Sequence, residues 1–380
     1  MDAKAHLTKA IALNPDYSEA HYELGLLLKK DGDTDQALEY FQKAVALKND
    51  FAEAECELAI MLQLTKDLES SRNHYLNSLE INPNYANSYF HYGLLLIELE
   101  DIEEAKNNFD KVTEINQNYS PAYFHKAKLL TSPDDFEEAK KNYETAIDIN
   151  DLYIEAHYYL AKLYLGGVAT DKEGTIIDSK DTAQAEFHFE KVIEINSNHS
   201  KAYYNLAKIH SDNGNTKKAE TLLKKAISLN SEYSKAHFLL AHVFEVTGKN
   251  SQAKKHYELS IKHFEENSMA HYRLGVMMYK EDAHESALAH LKNSAEINPQ
   301  HAESNFYIAM ILRHDEDEKK RKKHRQTMKD TKNPIQTVKD ARENHQTVKD
   351  ARNDWIGNEI GSTSTDSDIE DIIEYCCTVL

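Results

Sequence analysis

The chain has 380 residues, a formal net charge of −19 and a pI of about 5.5. Such an excess of acidic groups repels nucleic-acid phosphates, so the composition argues against nucleic acid as a partner. With 41% hydrophobic residues but only 11 Gly and 6 Pro, the composition favours helices that bury a core, and no apolar run approaches the roughly 20 residues that a membrane span needs.

The N-terminus and the cysteines indicate the compartment. Met1 to Lys4 lacks the apolar core of a signal peptide. The three cysteines, Cys56, Cys376 and Cys377, do not form a disulfide framework and fit a reducing environment. We therefore expect a cytoplasmic protein.

Three residue tracks recur every 34 residues, with one shift of 12 residues in the fifth unit. The first is a large residue followed by Gly or Ala, at Leu24-Gly25, Leu58-Ala59, Tyr92-Gly93, Lys126-Ala127, Leu160-Ala161, Leu206-Ala207, Leu240-Ala241, Leu274-Gly275 and Ile308-Ala309. The second is a small residue, at Ala37, Ser71, Ala105, Ala139, Ala185, Ala219, Ala253 and Ala287. The third is aromatic or Leu, at Phe41, Tyr75, Phe109, Tyr143, Phe189, Leu223, Tyr257 and Leu291. A fixed period of this length indicates a repeat architecture.

The pattern resembles the tetratricopeptide-repeat family, whose 34-residue unit is a pair of antiparallel helices. The resemblance covers residues 1 to about 313. It implies an all-α fold, a tetratricopeptide-repeat α-solenoid in which helix pairs form a right-handed superhelix, followed by a flexible C-terminal tail. Gly or Ala in the first track lets helices approach closely, and each unit buries its apolar face only against its neighbours. The resemblance also implies a protein that holds other proteins.

In chain order, residues 1–17 are predicted to form an N-terminal half-repeat helix, which is either a cap or the end of a longer array. Residues 18–313 then form the repeat array, with eight full repeats and a capping helix at 301–313. Glycines and charges mark an insertion at about 166–182 as a loop, whose spacing does not fit a calcium-binding EF-hand. The loop either lies beside a binding face or is simply tolerated.

No motif for catalysis or cofactor binding is present. No two of the 20 histidines are spaced i, i+3 or i, i+4, the spacings that bring two metal ligands together on one helix, and neither a phosphate-binding loop nor a nucleophile motif occurs. Several histidines, such as His21, His157, His237 and His271, stand where the family usually has Trp. We interpret them as structural, and we expect no enzyme, no metal and no cofactor.

The first helix of each unit lines the concave groove in this family. Two residues before each first-track position the chain places an aromatic ladder, broken only by Cys56: Tyr22, Phe90, Phe124, Tyr158, Tyr204, Phe238, Tyr272 and Phe306. Aromatic side chains dominate interface hot spots, but the family also favours Tyr here for its own packing. The ladder is therefore either scaffold or partner contact.

Beside the ladder stands a basic patch of residues in repeats four to seven: Lys128, Lys162, Lys201, Asn205, Lys208 and Lys235. A cluster of lysines in an acidic protein predicts that the groove binds either an acidic peptide segment or a C-terminal carboxylate. The family's clamp for chaperone C-termini is incomplete here, because Leu239 stands where Arg is needed.

After the array, the composition changes. Residues 314–325 are a charged segment whose acidic and basic blocks are spaced to pair with each other on an extended helix. Its basic run, Lys319 to Arg325, also fits a nuclear-import signal, which makes the nucleus the alternative location. Residues 326–355 are a decapeptide-repeat linker, and residues 356–380 are a disordered acidic tail. The end, Cys377-Thr378-Val379-Leu380, matches a prenylation box, with Cys376 as a second lipid site. A membrane becomes a partner only if Cys377 is prenylated.

These observations favour one function over two alternatives. The first is a protein-interaction scaffold or adaptor that binds a peptide or helix of a partner, acidic in character, in the groove. The alternatives are a non-catalytic substrate-recognition arm of an enzyme complex and a prenyl-anchored membrane adaptor.

Overall fold

The computed structural model of the chain describes residues 3–166, 168–170, 176–178 and 180–330. By its internal contacts the chain divides into two compact units, residues 1–266 and residues 267–380.

Antiparallel helix pairs build the first unit. A single helix, α1 (Ala3–Leu13), packs on the first pair. The pairs that follow, one for each repeat, are α2 (Ser18–Asp31) with α3 (Thr34–Leu47), α4 (Ala52–Leu64) with α5 (Leu68–Ile81), α6 (Ala86–Glu98) with α7 (Ile102–Ile115), α8 (Ser120–Leu129) with α9 (Phe136–Ile149), α10 (Ile154–Gly166) with α11 (Thr182–Ile195), α12 (Ser200–Asp212) with α13 (Thr216–Leu229), and α14 (Ser234–Val246) with α15 (Asn250–His263).

A short turn that contains a residue with positive φ separates the two helices of a regular pair. A residue just after the first helix adopts a left-handed conformation, as at Gly32 with φ +82° and Lys66 with φ +67°. In the first three repeats an Asp then caps the second helix, as where the Asp33 carboxylate accepts a hydrogen bond from the Gln36 backbone N–H at 3.2 Å. These local signals end the first helix and begin the second, and so contribute to the 34-residue period.

The three sequence tracks form the core. Phe41, Phe109 and Phe189 in the third track have no exposed surface. The glycines of the first track are required for this packing, because a Cβ atom at Gly93 would lie 2.9 Å from Cε1 of Phe109. The helix pairs predicted from the sequence are thus confirmed in the described residues of this unit.

Repeats four and five depart from regularity. Helix α8 has 10 residues, against 13 or 14 in the other first helices of this unit, and a 3₁₀ turn at Pro133–Asp135 follows it. After α10, β1 (Val168–Thr170) pairs antiparallel with β2 (Ile176–Asp178), with Val168 opposite Asp178. The insertion, which the sequence predicted to be a loop, contains a two-stranded antiparallel ribbon. Its β-branched residues favour strands. Strand β1 lies against the 3₁₀ turn and α9.

The second unit is described from residue 267 to residue 330. It contains a further pair, α16 (Ser268–Lys280) with α17 (His284–Ile297), and a long last helix, α18 (Ala302–Asp330). The sequence predicted a capping helix that ends at residue 313, and this end is wrong. Helix α18 instead continues through the charged segment and the first five residues of the linker. Lys, Arg and Glu favour helix, and no Gly or Pro interrupts residues 302–330.

The remaining predictions for the tail lie outside the described residues. They concern residues 331–355 of the linker, the acidic tail 356–380 and the lipidation candidates Cys376 and Cys377. No described helix combines the length and apolarity that a bilayer crossing requires.

Candidate partner-binding surface

The first helices of consecutive repeats lie side by side. Helix α4 contacts α6, and α12 contacts α14. We call the exposed surface of α2, α4, α6, α8, α10, α12 and α14 the first-helix face. It is the surface on which the sequence placed the aromatic ladder and the basic patch.

The aromatic ladder packs inward along this face. Its buried rings contact the third-track ring of the same repeat and a residue near the start of the next repeat. Phe90 lies 5.8 Å from Phe109 and 5.1 Å from Tyr119 between ring centroids. Phe124 lies 5.9 Å from Tyr143 and 5.2 Å from Tyr153. The rings thus join neighbouring repeats, as Tyr22 also does through Phe51 and Tyr204 through Tyr233.

Burial decides between the two interpretations of the ladder. Phe90 and Phe124 are only 8% and 5% exposed, so they belong to the scaffold and offer no surface to a partner. Tyr22, Tyr158, Tyr204 and Phe238 are half-buried. Burial raises the pKa of Tyr204, so its phenol stays neutral at physiological pH. In the second unit, Tyr272 packs on His301 at 4.6 Å and Phe306 is 44% exposed.

The lysines of the basic patch are exposed. None of the five has a carboxylate within ion-pair distance in the described part of the chain. Asn205 is held in place instead, since its Nδ2 donates hydrogen bonds to the Tyr158 hydroxyl at 3.3 Å and to the Lys201 carbonyl at 2.8 Å. The patch therefore presents ammonium groups that are available to an external anion.

Tyr159 is the residue that the sequence reasoning missed. Two lysines of the patch lie near its ring, with the Lys128 and Lys162 Nζ atoms 5.3 and 5.5 Å from its centroid. Both lysines line a cavity of about 360 Å³ at the end of α8. A signal was present in the sequence: the position after the ladder is Glu23 and Glu57 in the first two repeats, but Tyr159 in the fifth.

The histidines in the Trp position are buried inside helix pairs. The His157 Nε2–H donates to the Asp151 carbonyl at 3.1 Å, so its Nδ1 accepts from the Nδ1–H of His188 at 2.9 Å. His237 and His256 repeat this arrangement, with Nδ1 atoms 2.9 Å apart. Burial lowers the pKa of His188 to about 4, with a smaller contribution from His157.

Metal and thiol chemistry find no support in the part of the chain that the structure describes. It contains no group of three or more His, Cys, Asp or Glu side chains that could hold a metal ion. Cys56 is 1% exposed, and burial raises the pKa of its thiol to about 12, so it is an unreactive core residue.

Comparison with known families gives matches along most of the described chain. Models of the tetratricopeptide repeat match residues 6–39, 74–107, 120–151, 177–226 and 238–302. None of the curated proteins compared with the sequence is a match.

Among solved structures, several repeat proteins are similar. YrrB, described as a TPR protein with an unusual peptide-binding site, is 22% identical over 52% of this chain and 95% of its own, with a TM-score of 0.41. MamA from Desulfovibrio magneticus RS-1 is 17% identical over 48% and 96%, with a TM-score of 0.39. The Cut9–Hcn1 hetero-tetramer of APC/C is 13% identical over 82% of this chain and 58% of that chain, with a TM-score of 0.49.

Proposed function

The chain belongs to the tetratricopeptide-repeat family, and from this premise we propose that it is a protein-interaction scaffold whose first-helix face binds an acidic peptide or helix of a partner protein. One observation carries the proposal. Five exposed lysines on that face have no carboxylate partner among the described residues, although the chain has a net charge of −19.

The physical reason is the balance between attraction and desolvation. Exposed ammonium groups lose little hydration when a carboxylate approaches, and several like charges close together attract an acidic segment more strongly than one does. The electrostatic field of these lysines also speeds the association of the two proteins. At physiological ionic strength, salt screens this field beyond about 8 Å. Affinity for the partner is therefore expected to fall as salt rises.

We propose further that the protein is not an enzyme and does not bind nucleic acid. The family fold is typically a non-catalytic interaction module, and the described residues contain no cluster that could hold a metal ion. The acidic net charge supports the absence of nucleic-acid binding. We also propose that the protein is cytoplasmic, because its three cysteines fit a reducing environment.

Selection of peptides on the full-length protein tests the function. A displayed library of random dodecapeptides is expected to yield sequences rich in Asp and Glu. Their affinity should fall at least tenfold in the triple variant Lys162→Glu/Lys201→Glu/Lys208→Glu, because each substitution turns an attraction into a repulsion.

The chain offers a control of equal charge. Lys141, Lys217 and Lys225 are exposed on second helices. The variant Lys141→Glu/Lys217→Glu/Lys225→Glu changes the net charge by the same amount on a different surface and should bind the selected peptides nearly as tightly as the wild type. Equal losses in both triple variants, or selected peptides without acidic residues, would contradict the proposed face.

A further inference from the structure

We propose that the cavity at the end of α8 is an anchor pocket, which takes one large apolar side chain of the acidic partner segment while a neighbouring carboxylate of that segment meets Lys128 and Lys162. The inference rests on the proposed function for the acidic character of the partner. Beyond the proposed function, it identifies the position on the first-helix face that binds one particular side chain of the partner.

The cavity exists because α8 lacks its last turn. In regular repeats a large residue in that turn fills the space between the two helices, as Leu28 does at 1% exposure and Phe244 at 2%. The equivalent residue of the fourth repeat is Leu130, which has left the helix and is extended, with φ −87° and ψ 100°. Pro133 disfavours helix just before it and so contributes to the early end. The space that Leu28 and Phe244 fill in other repeats is left open here.

The walls of the cavity suit an apolar side chain. They are formed mainly by hydrophobic groups of α8, α9 and α10 and the segment between the first two: Ala127, Leu130, Phe136, Ala139, Tyr143 and Leu163. A volume of about 360 Å³ is at the lower end of the range for ligand sites, enough for one large side chain with its adjoining backbone. Strand β1 lies against the 3₁₀ turn that closes one side, so the insertion is placed beside this opening.

The rim of the cavity specifies the charge of the occupant. Lys128 and Lys162 hold their ammonium groups within 5.5 Å of the centroid of one ring, that of Tyr159. Two like charges on one ring repel each other, and no described carboxylate neutralises them. A carboxylate next to the buried anchor would neutralise both. The expected motif is therefore a large apolar residue beside Asp or Glu.

The experiment uses peptides selected on the full-length protein. Selected sequences should share one aromatic or large aliphatic position flanked by Asp or Glu. Replacing that position by Ala in the best peptide should weaken its binding about 30-fold, the size of a typical hot-spot loss. Thr131, which is exposed and lines the cavity, provides the matching change in the protein. Thr131→Trp should fill the cavity and cause a similar loss. The matched control Thr221→Trp, at an exposed position of α13 that does not line the cavity, should leave the affinity unchanged.

A double-mutant cycle identifies the pocket as the site of the anchor. Peptides with Ala at the anchor position should bind wild type and Thr131→Trp equally, because the contact is already absent. Gly166 lines the cavity from the α10 side. If Thr131→Trp unfolds at a lower temperature than wild type, Gly166→Leu is used in the cycle in place of Thr131→Trp.

The possible failures are distinct. Acidic peptides without a shared apolar position, or tight binding of the anchored peptide to Thr131→Trp, would overturn the pocket and leave the proposed function standing. Selection of peptides that are not acidic would overturn the proposed function and, with it, the inference.

Discussion

Two regions of the first unit share one scaffold but differ in surface charge. In the amino-terminal repeats (α2 to α7), ion pairs between adjacent repeats neutralise two of the lysines at or near the first-helix face. Lys29 pairs with Glu57 at 2.6 Å, and Lys66 pairs with Glu98 at 2.6 Å. In the central repeats (α8 to α15), the lysines of the basic patch have no such partners among the described residues. The repeat therefore fixes the core, while a few positions in each unit set the charge of the face.

The same two regions differ in regularity. First helices of the amino-terminal repeats have 13 or 14 residues and end in a left-handed turn. The central repeats contain the shortened α8 and the inserted ribbon. Both departures lie close to Lys128 and Lys162, since the cavity has its walls in α8 and α10. Irregular backbone and unpaired charge thus occur together, which favours this region as the functional part of the face.

The largest effect is expected from one substitution made in each region. Gly93→Leu in the third repeat places a Cβ atom only 2.9 Å from the Phe109 ring, so overpacking should cost about 3 kcal/mol of unfolding free energy. Gly166→Leu at the end of α10 meets no atom of the described residues within 4 Å of its Cβ, and its higher helix propensity should leave stability equal or slightly higher. Urea unfolding followed by circular dichroism measures both.

A small loss for Gly93→Leu would mean that the Phe109 ring moves aside and that the amino-terminal repeats are less tightly packed than their glycines indicate. A large loss for Gly166→Leu would mean that the end of α10 is constrained.

A smaller effect concerns pH and the buried histidine pair of the fifth repeat. Burial lowers the pKa of His188 to about 4 and also lowers that of His157, whereas an unfolded histidine titrates near 6.5. Between pH 6.5 and 4 the unfolded chain therefore binds more protons than the folded chain. The stability that the pair contributes is complete above pH 6.5 and is lost as pH falls towards 4, about 1–2 kcal/mol by pH 5.

The sixth repeat supplies a replacement for this pair without titratable imidazoles, namely Tyr203 and Leu222. The variant His157→Tyr/His188→Leu should lose less stability than wild type between pH 7.5 and pH 5, by thermal unfolding at several pH values. Parallel curves for the two proteins would show that the pair does not titrate in this range.

The core could be predicted from the sequence because its spacing is fixed. A 34-residue period places Leu24, Ala37 and Phe41 at one recurring junction, and all three are buried. Burial of the ladder could not be predicted in the same way. Whether Phe124 is covered depends on Tyr153, a residue 29 positions later whose contact arises only when the next repeat packs.

The basic patch and the cavity were also predictable only in part from the sequence. The spacing of the sequence places the lysines beside the ladder. It does not predict that they lack carboxylate partners among the described residues, because this depends on the directions of long side chains. The cavity depends on where α8 ends. The sequence Ser132-Pro133 carries that signal, but a proline does not by itself reveal that an extended Leu130 leaves the space unfilled.

The smallest effect compares one paired lysine with one unpaired lysine. Lys29→Met keeps most of the apolar stem but leaves Glu57, whose side chain is only 16% exposed, without its ammonium partner, so we expect a loss of about 0.5–1 kcal/mol in unfolding free energy. Lys162→Met removes one of the two like charges that lie near the Tyr159 ring, so the change in unfolding free energy should be near zero or a gain of a few tenths of a kcal/mol. Salt at about 0.5 M should shrink the difference between the two variants, because screening weakens attraction and repulsion alike. Equal losses in both variants at low salt would show that Lys162 is stabilised by its surroundings, and the contrast between neutralised and unpaired lysines would then not hold.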